Sequence, residues 1–148
     1  MSPMQYAATR PASPDTATTT ALPERLAPYV LSVLRIVAAL LFLEHGLSKL
    51  FGFPQAGHMP AFLTLLWFAG VIEIVGPILV GLGLFTRLAA FIMSGEMAFA
   101  YFLSHAHRGF YPLLNGGEAA VLYCFLFLYL ACAGAGPWSL DALWRKRG

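Results

Sequence analysis

Five glutamates occur in the chain, and four fall within or at the ends of long apolar stretches: Glu44, Glu73, Glu96 and Glu118. Basic and amide side chains that could serve them are His45, Lys49, His105, His107, Arg108 and Asn115. Carboxylates beside ammonium or imidazole groups exchange protons and balance the charge of a bound group. The ligand-binding set read from the sequence is Glu44, His45, Lys49, Glu73, Glu96, Asn115 and Glu118. Spacing excludes other chemistries. A carboxylate-bridged di-iron centre wants two Glu-x-x-His pairs on helices, whereas Glu44 and His45 are adjacent. Bis-histidine haem wants histidines at matched depth, and only His45 and His105 come near that. "HAHR" at 105–108 is too weak a pattern to assign a metal. Neither a phosphate-cradling glycine loop nor a nucleophilic serine motif is present.

The elements that position these groups follow from composition. The chain is 59% hydrophobic and 11% charged, with mean hydropathy +0.71, against about 25% charged residues in soluble domains. Apolar runs at Tyr29–Phe51, Phe62–Phe85, Leu88–Leu103 and Ala119–Ala133 approach the ~20 residues a helix needs to cross hydrocarbon. They are apolar on nearly all sides, unlike the striped helices of soluble bundles. The expected fold is all-α, an integral membrane four-helix bundle over 29–135. Residues 1–28, rich in Thr, Ala, Pro and Ser without an apolar leader core, read as a disordered cytoplasmic tail. Residues 136–148, with "PWSLDALWRKRG", read as an amphipathic basic tail on anionic lipid, and nothing points to nucleic acid.

Charge distribution orients the chain. Four spans put both termini on one side, with Arg10, Arg25, Arg35, Arg87, Arg145, Lys146 and Arg147, against Lys49 and Arg108 on the other. That excess places both termini in the cytoplasm. Arg35 and Arg87 read as anchors reaching the headgroups. Cys124 and Cys132, eight residues apart and ~12 Å along a helix, cannot bond each other.

"RIVAALLFLE" (35–44) and "RLAAFIMSGE" (87–96) share an Arg, eight mostly apolar residues and a Glu, which suggests a parallel duplication of a helix pair. Nine residues make half a turn beyond two full turns, so each Arg and Glu face opposite ways. By the same geometry Lys49 points ~140° from Glu44. In the second span Gly70 and Gly76 flank Glu73 on its own face, and Pro77 frees the Glu73 carbonyl from its helical donor. Glu73 is the leading site residue. At the bilayer centre a charge costs at least ~2.5–3.5 kcal/mol, so the four glutamates are expected to line one polar pocket open to the outer face.

"LRIVAALLFLEHGLSKLFGFP", "FAGVIEIVGPILVGLGLFTRLAAF", "GEMAFAYF" and "FYPLLNGGEAAVLYCFLFLYLACAGAGPWSLD" resemble the bacterial DoxX family over roughly residues 30–141. His45, Gly46, Lys49, Gly52, Glu73, Gly76, Asn115, Gly117 and Glu118 occupy its recurring motif positions. The resemblance implies a four-helix inner-membrane protein associated with redox chemistry, since a relative is the membrane subunit of a thiosulfate:quinone oxidoreductase. It carries no agreed catalytic residues, and the lack of paired cysteines argues against thiol handling by this chain alone. The leading reading is a membrane subunit binding a quinone or small anion in the polar pocket, working with a soluble redox protein. The alternatives are a non-catalytic anchor or assembly factor for a soluble enzyme, and a small proton-coupled carrier acting as a homo-oligomer.

Overall fold

The computed structural model describes residues 14–55 and 59–146. All regular structure among them is helical: α1 (Pro14–Phe51), α2 (Leu65–Leu82), α3 (Thr86–Ser104), α4 (Pro112–Asn115), α5 (Glu118–Ala133) and α6 (Leu140–Arg145), with a 3-10 turn at Ala106–Arg108. The all-helical expectation holds for these residues. By length and composition alone, Leu22–Phe51 and Leu65–Leu82 are the two helices among the described residues that suffice to cross a membrane, and α5 is a shorter apolar helix. In α3 the length is present, but Thr86, Arg87, Ser94 and Glu96 dilute its hydropathy.

Helix α1 begins earlier than expected. Residues 14–28, assigned above to a disordered tail, are helical, while the remainder of that tail, 1–13, lies outside the described residues. Pro14 stands at the helix start, where its missing N–H is no loss, and strong helix formers follow in Ala21, Leu22, Glu24 and Arg25. The helix runs through Pro23 and Pro28, each of which deletes one intrahelical bond without ending it. Of the basic C-terminal tail, residues 147–148 lie outside the described set.

Helix α1 pairs with α2, α3 pairs with α5, and α2 packs on α3. Aromatic rings close the α1–α5 seam: the Phe42 ring lies 4.8 Å from Phe127 and 4.9 Å from Tyr123, centroid to centroid. The core is Phe42, Val80, Ala89, Ala90, Met93, Phe127 and Leu130 with their neighbours. Helix ends are satisfied from elsewhere in the chain. Gly83, at φ 71°, closes α2, its N–H meeting the Val80 carbonyl at 3.0 Å. Helix α3 has no side-chain cap of its own; Asp141 of α6 accepts from the Phe85 and Thr86 amides, both at 3.0 Å.

The arginines are clamps. Arg35 is fully buried, not extended to headgroups. It donates to Ala135 O at 2.8 Å, Gly81 O at 2.6 Å and Trp138 O at 2.6 Å, and to Val80 O. A guanidinium presents five donors in a fixed fork, which suits it to gather the loose carbonyls at a helix end. Arg87 does the same for α5, donating to Ala131 O at 3.1 Å and Cys132 O at 2.7 Å.

Candidate functional site

Two of the four glutamates turn inward. On α2, Glu73 is 2% exposed and accepts a 2.5 Å charge-assisted hydrogen bond from Lys49 Nζ of α1. Glu96 of α3 lies within electrostatic reach of both. Glu73 Oε2 and both Glu96 carboxyl oxygens are buried without a hydrogen-bond partner among the described residues. Buried polar atoms are almost always paired, so these three unpartnered oxygens make the Glu73–Glu96 pair the candidate site.

Close helix approach makes this cluster. A Cβ on Gly46 would stand 2.7 Å from the carbonyl carbon and oxygen of Glu73 and from Ile74 Cγ1. That is the carbonyl freed by Pro77, so the freed group packs on the backbone of α1. Gly70 admits the Leu50 side chain in the same way, and Gly76 admits Met93 of α3. These three glycines bring the helices together around Glu73.

Lys49 also lines a cavity of about 310 Å³ whose walls include Phe51, Met59, Phe62 and Trp67. The Phe62 and Trp67 rings meet edge to face at 4.9 Å. The order from outside inward is therefore an aromatic cavity, an ammonium, and two carboxylates. A hydrogen-bonding headgroup in the cavity would meet Lys49, and behind it groups able to hold a proton.

The other residues of the expected pocket lie elsewhere. Glu44 is exposed, on the side of α1 away from Lys49, as its ~140° offset requires. His45 is exposed too, its ring 5.9 Å from those of Phe42 and Tyr123 on the α1–α5 seam. Glu118 is exposed in the first turn of α5, where a carboxylate favours the helix dipole. A single pocket holding all four glutamates is therefore corrected to a pair, Glu73 and Glu96, with Lys49.

Asn115 is buried but fully engaged. Its Oδ1 accepts from Gly117 N at 2.8 Å, and its Nδ2 donates to Gly109 O at 2.8 Å and to Tyr101 Oη at 3.4 Å. Its carbonyl lies 3.2 Å from His105 Nδ1, and the His105 ring stacks on Tyr101. This network organises the loop and uses both amide hydrogens of Asn115. His107 and Arg108 are exposed. Cys124 and Cys132 are free thiols. Among the described residues no three of His, Cys, Asp and Glu gather as metal ligands do.

Sequence reasoning missed the Trp67 and Phe62 walls, the buried Arg35 and the Asp141 cap. A usable signal existed for Arg35. Residues 35, 42 and 49 recur every seven positions, so Arg35 shares the inward stripe of Phe42 and Lys49.

The family described as DoxX matches residues 30–106. An uncharacterised protein of Haemophilus influenzae is 51% identical over 130 residues, 84% of this chain and 97% of its own length. A second uncharacterised protein from that organism is 30% identical over 128 residues, 78% of this chain and 83% of the relative. An uncharacterised membrane protein of Mycobacterium tuberculosis is 29% identical over 131 residues, 77% of this chain and 80% of the relative. No solved structure matches significantly.

Proposed function

The chain belongs to the DoxX family, and from that premise we propose an integral membrane protein that binds a quinone headgroup in the Lys49 cavity. Its two apolar spans have only 28% of their windows buried. A core helix of a soluble protein buries most of such a window, and soluble monomers rarely expose large apolar patches. The M. tuberculosis relative, a membrane protein by name, supports the same reading. In this reading the bundle crosses a bacterial inner membrane with four helices and both termini in the cytoplasm, an orientation that the basic excess at that end supports.

The observation that carries the ligand is Lys49 between an aromatic cavity and two buried carboxylates. A small anion suits it poorly, because Glu73 already balances the ammonium and Glu96 adds negative charge behind it. A neutral, planar group with carbonyl acceptors suits it better. Lys49 donates to such a carbonyl, Trp67 and Phe62 flank the ring, and the volume lies at the small end of the ~300–1,000 Å³ usual for ligand pockets. A quinone supplies electron uptake coupled to proton uptake. This chain's share is to position the headgroup and hold a proton at the Glu73–Glu96 pair, where two carboxylates facing one ammonium become neutral with one proton. A soluble redox protein is the implied partner for electrons.

The test is quinone content. Protein purified gently from its own membrane is extracted, and quinone is measured against bulk lipid for wild type, Glu73→Gln and Lys49→Met. Enrichment in wild type that falls in both variants is the expected result; equal content in all three removes the quinone reading. A second reading, an anchor for a soluble enzyme, is favoured by the bare segment around α4, where Phe110 is 87% and Leu114 80% exposed. A stoichiometric partner lost on Phe110→Ser, with no quinone enrichment, would select it.

A further inference from the structure

At the end of the bundle opposite the Lys49 cavity, a cleft of about 880 Å³ opens between the N-terminal half of α1, the start of α3, the end of α5 and α6. We propose that this cleft binds the phosphate headgroup of an anionic phospholipid. The proposal adds a second ligand site to the membrane reading above and rests on that reading, not on the quinone.

The cleft walls are mostly apolar, from Leu31, Leu88, Tyr129 and Ala133, with Trp144 at the rim. Its polar groups are arranged for an anion. Arg87 uses Nη1 to cap α5, through Ala131 O and Cys132 O. Its other edge, Nη2 and Nε, faces Gly134, where an added Cβ would stand 3.4 and 3.5 Å from them. Gly134 lines the cleft, so the bare glycine leaves that edge of the guanidinium open to it. Arg145 adds a second guanidinium; among the described residues its recorded hydrogen bond is Nε to Asp141 O at 3.4 Å. The one carboxylate in the lining, Asp141, is already turned to the Phe85 and Thr86 amides.

Thr86 supplies the independent sign of a ligand. It lines the cleft, is fully buried, and its hydroxyl has no partner among the described residues. A hydroxyl in a helix usually bonds a carbonyl one turn back or is solvated, and one left unpaired calls for an acceptor. A phosphate oxygen held by Arg87, the adjacent residue, is such an acceptor. Basic pockets between helices at the cytoplasmic face are the usual setting for anionic headgroups, and the aromatic rim with apolar walls suits the glycerol and upper acyl chains of a lipid better than a free ion.

The experiment uses the full chain in detergent, with bound lipid counted by native mass spectrometry during titration with phosphatidylglycerol or phosphatidylcholine, with and without millimolar inorganic phosphate. Each arginine near the surface contributes about 1 kcal/mol to anionic-lipid binding, a factor of about five. Arg145→Gln is therefore expected to weaken phosphatidylglycerol about fivefold and Arg87→Gln similarly, with phosphatidylcholine unaffected. Arg145 is exposed and its side chain makes one long 3.4 Å bond within α6, so its variant stays informative if Arg87→Gln fails to fold. Equal binding of the two lipids, or no change in Arg145→Gln, overturns the proposal. Displacement of phosphatidylglycerol by inorganic phosphate overturns the lipid in favour of a free-phosphate site. Alkaline extraction of native membranes separates the two levels: a chain released by carbonate refutes the membrane reading, whereas a retained chain without lipid preference refutes only this site.

Discussion

Replacing Lys49 by Met should destabilise the protein more than replacing Glu73 by Gln, and the two effects should not add. The Lys49–Glu73 contact is 2.5 Å, and the partners are unequally buried, 35% and 2% exposed. At an effective dielectric of ~20 the attraction at that distance is about 6–7 kcal/mol, most of it offset by taking Glu73 out of water. Truncating one partner of a buried pair costs ~3–5 kcal/mol, because the other charge is left stranded. Lys49 is partly reached by water, so screening places Lys49→Met at the low end, about 3 kcal/mol. Glu73→Gln leaves an ammonium that can turn to the cavity mouth, with a loss of about 1–2 kcal/mol. In the double variant no charge is stranded at the pair, so it should recover at least ~1.5 kcal/mol relative to the sum. Equilibrium unfolding of the four proteins in mixed micelles, followed by tryptophan fluorescence and helical circular dichroism, gives the cycle. Additivity within ~0.5 kcal/mol would show that the ion pair does not organise the bundle.

Gly46→Ala gains helix propensity of up to ~1 kcal/mol but drives a methyl into the Glu73 carbonyl, which is backbone and cannot yield; a net loss of ~1–3 kcal/mol in the same unfolding assay is expected. Arg35→Met leaves the carbonyls of Val80, Gly81, Ala135 and Trp138 without their donor, so a loss of at least ~3 kcal/mol should appear, and Arg35→Lys should recover only part of it. Asp141→Ala uncaps α3 and should lower stability by ~0.5–2 kcal/mol, read as a fall in Tm. Glu96→Gln should lower quinone enrichment as Glu73→Gln does, whereas Glu118→Gln should leave it unchanged, because Glu118 is exposed away from Lys49.

Hydropathy exposed the long helices because burial in hydrocarbon or in a bundle leaves the same mark on composition. It could not separate a span from an apolar core helix; α5 falls short in length, and α3 in hydropathy through Arg87 and Glu96. The burial of Glu73 was legible: Gly70, Gly76 and Pro77 sit at spacings that suit a close helix crossing. Glu44 was misplaced because the price of a membrane carboxylate was applied to all four glutamates alike, although the helical offset between Glu44 and Lys49 allows only one of them inward. The structure turns Lys49 in. Asn115 was misread because a buried amide looks the same in sequence whether it meets a ligand or the backbone of its own loop. The cavity walls were not legible, since Trp67 on α2 and Phe62 in the preceding loop meet Lys49 only through the tertiary fold.

The two Arg–Glu segments make the deeper point. Arg35 and Arg87 each cap the end of the next long helix, α2 and α5, as copies of one unit would. Yet α1 buries its Arg and exposes its Glu, whereas α3 exposes its Arg and buries the carboxylate of its Glu. Half a turn separates Arg from Glu in both, so rotating one helix about its axis exchanges which charge points in. Two units facing alike would make either two buried arginines with no central carboxylate from α1 or α3, or two central glutamates without the Arg35 clamp. The opposed rotation yields one buried Arg clamp, Arg35, and one Glu96 beside Glu73 and Lys49. It also brings Lys49, seven residues beyond Phe42 on the inward stripe of α1, to the carboxylates. Restoring the symmetry should therefore disable the site: Glu96→Leu combined with Glu44→Leu removes both repeat glutamates, and its loss of quinone enrichment should equal that of Glu96→Leu alone, since Glu44 faces away. A further loss on adding Glu44→Leu would show that the exposed glutamate also serves the site, and that the rotation of α1 is not what selects the working carboxylates.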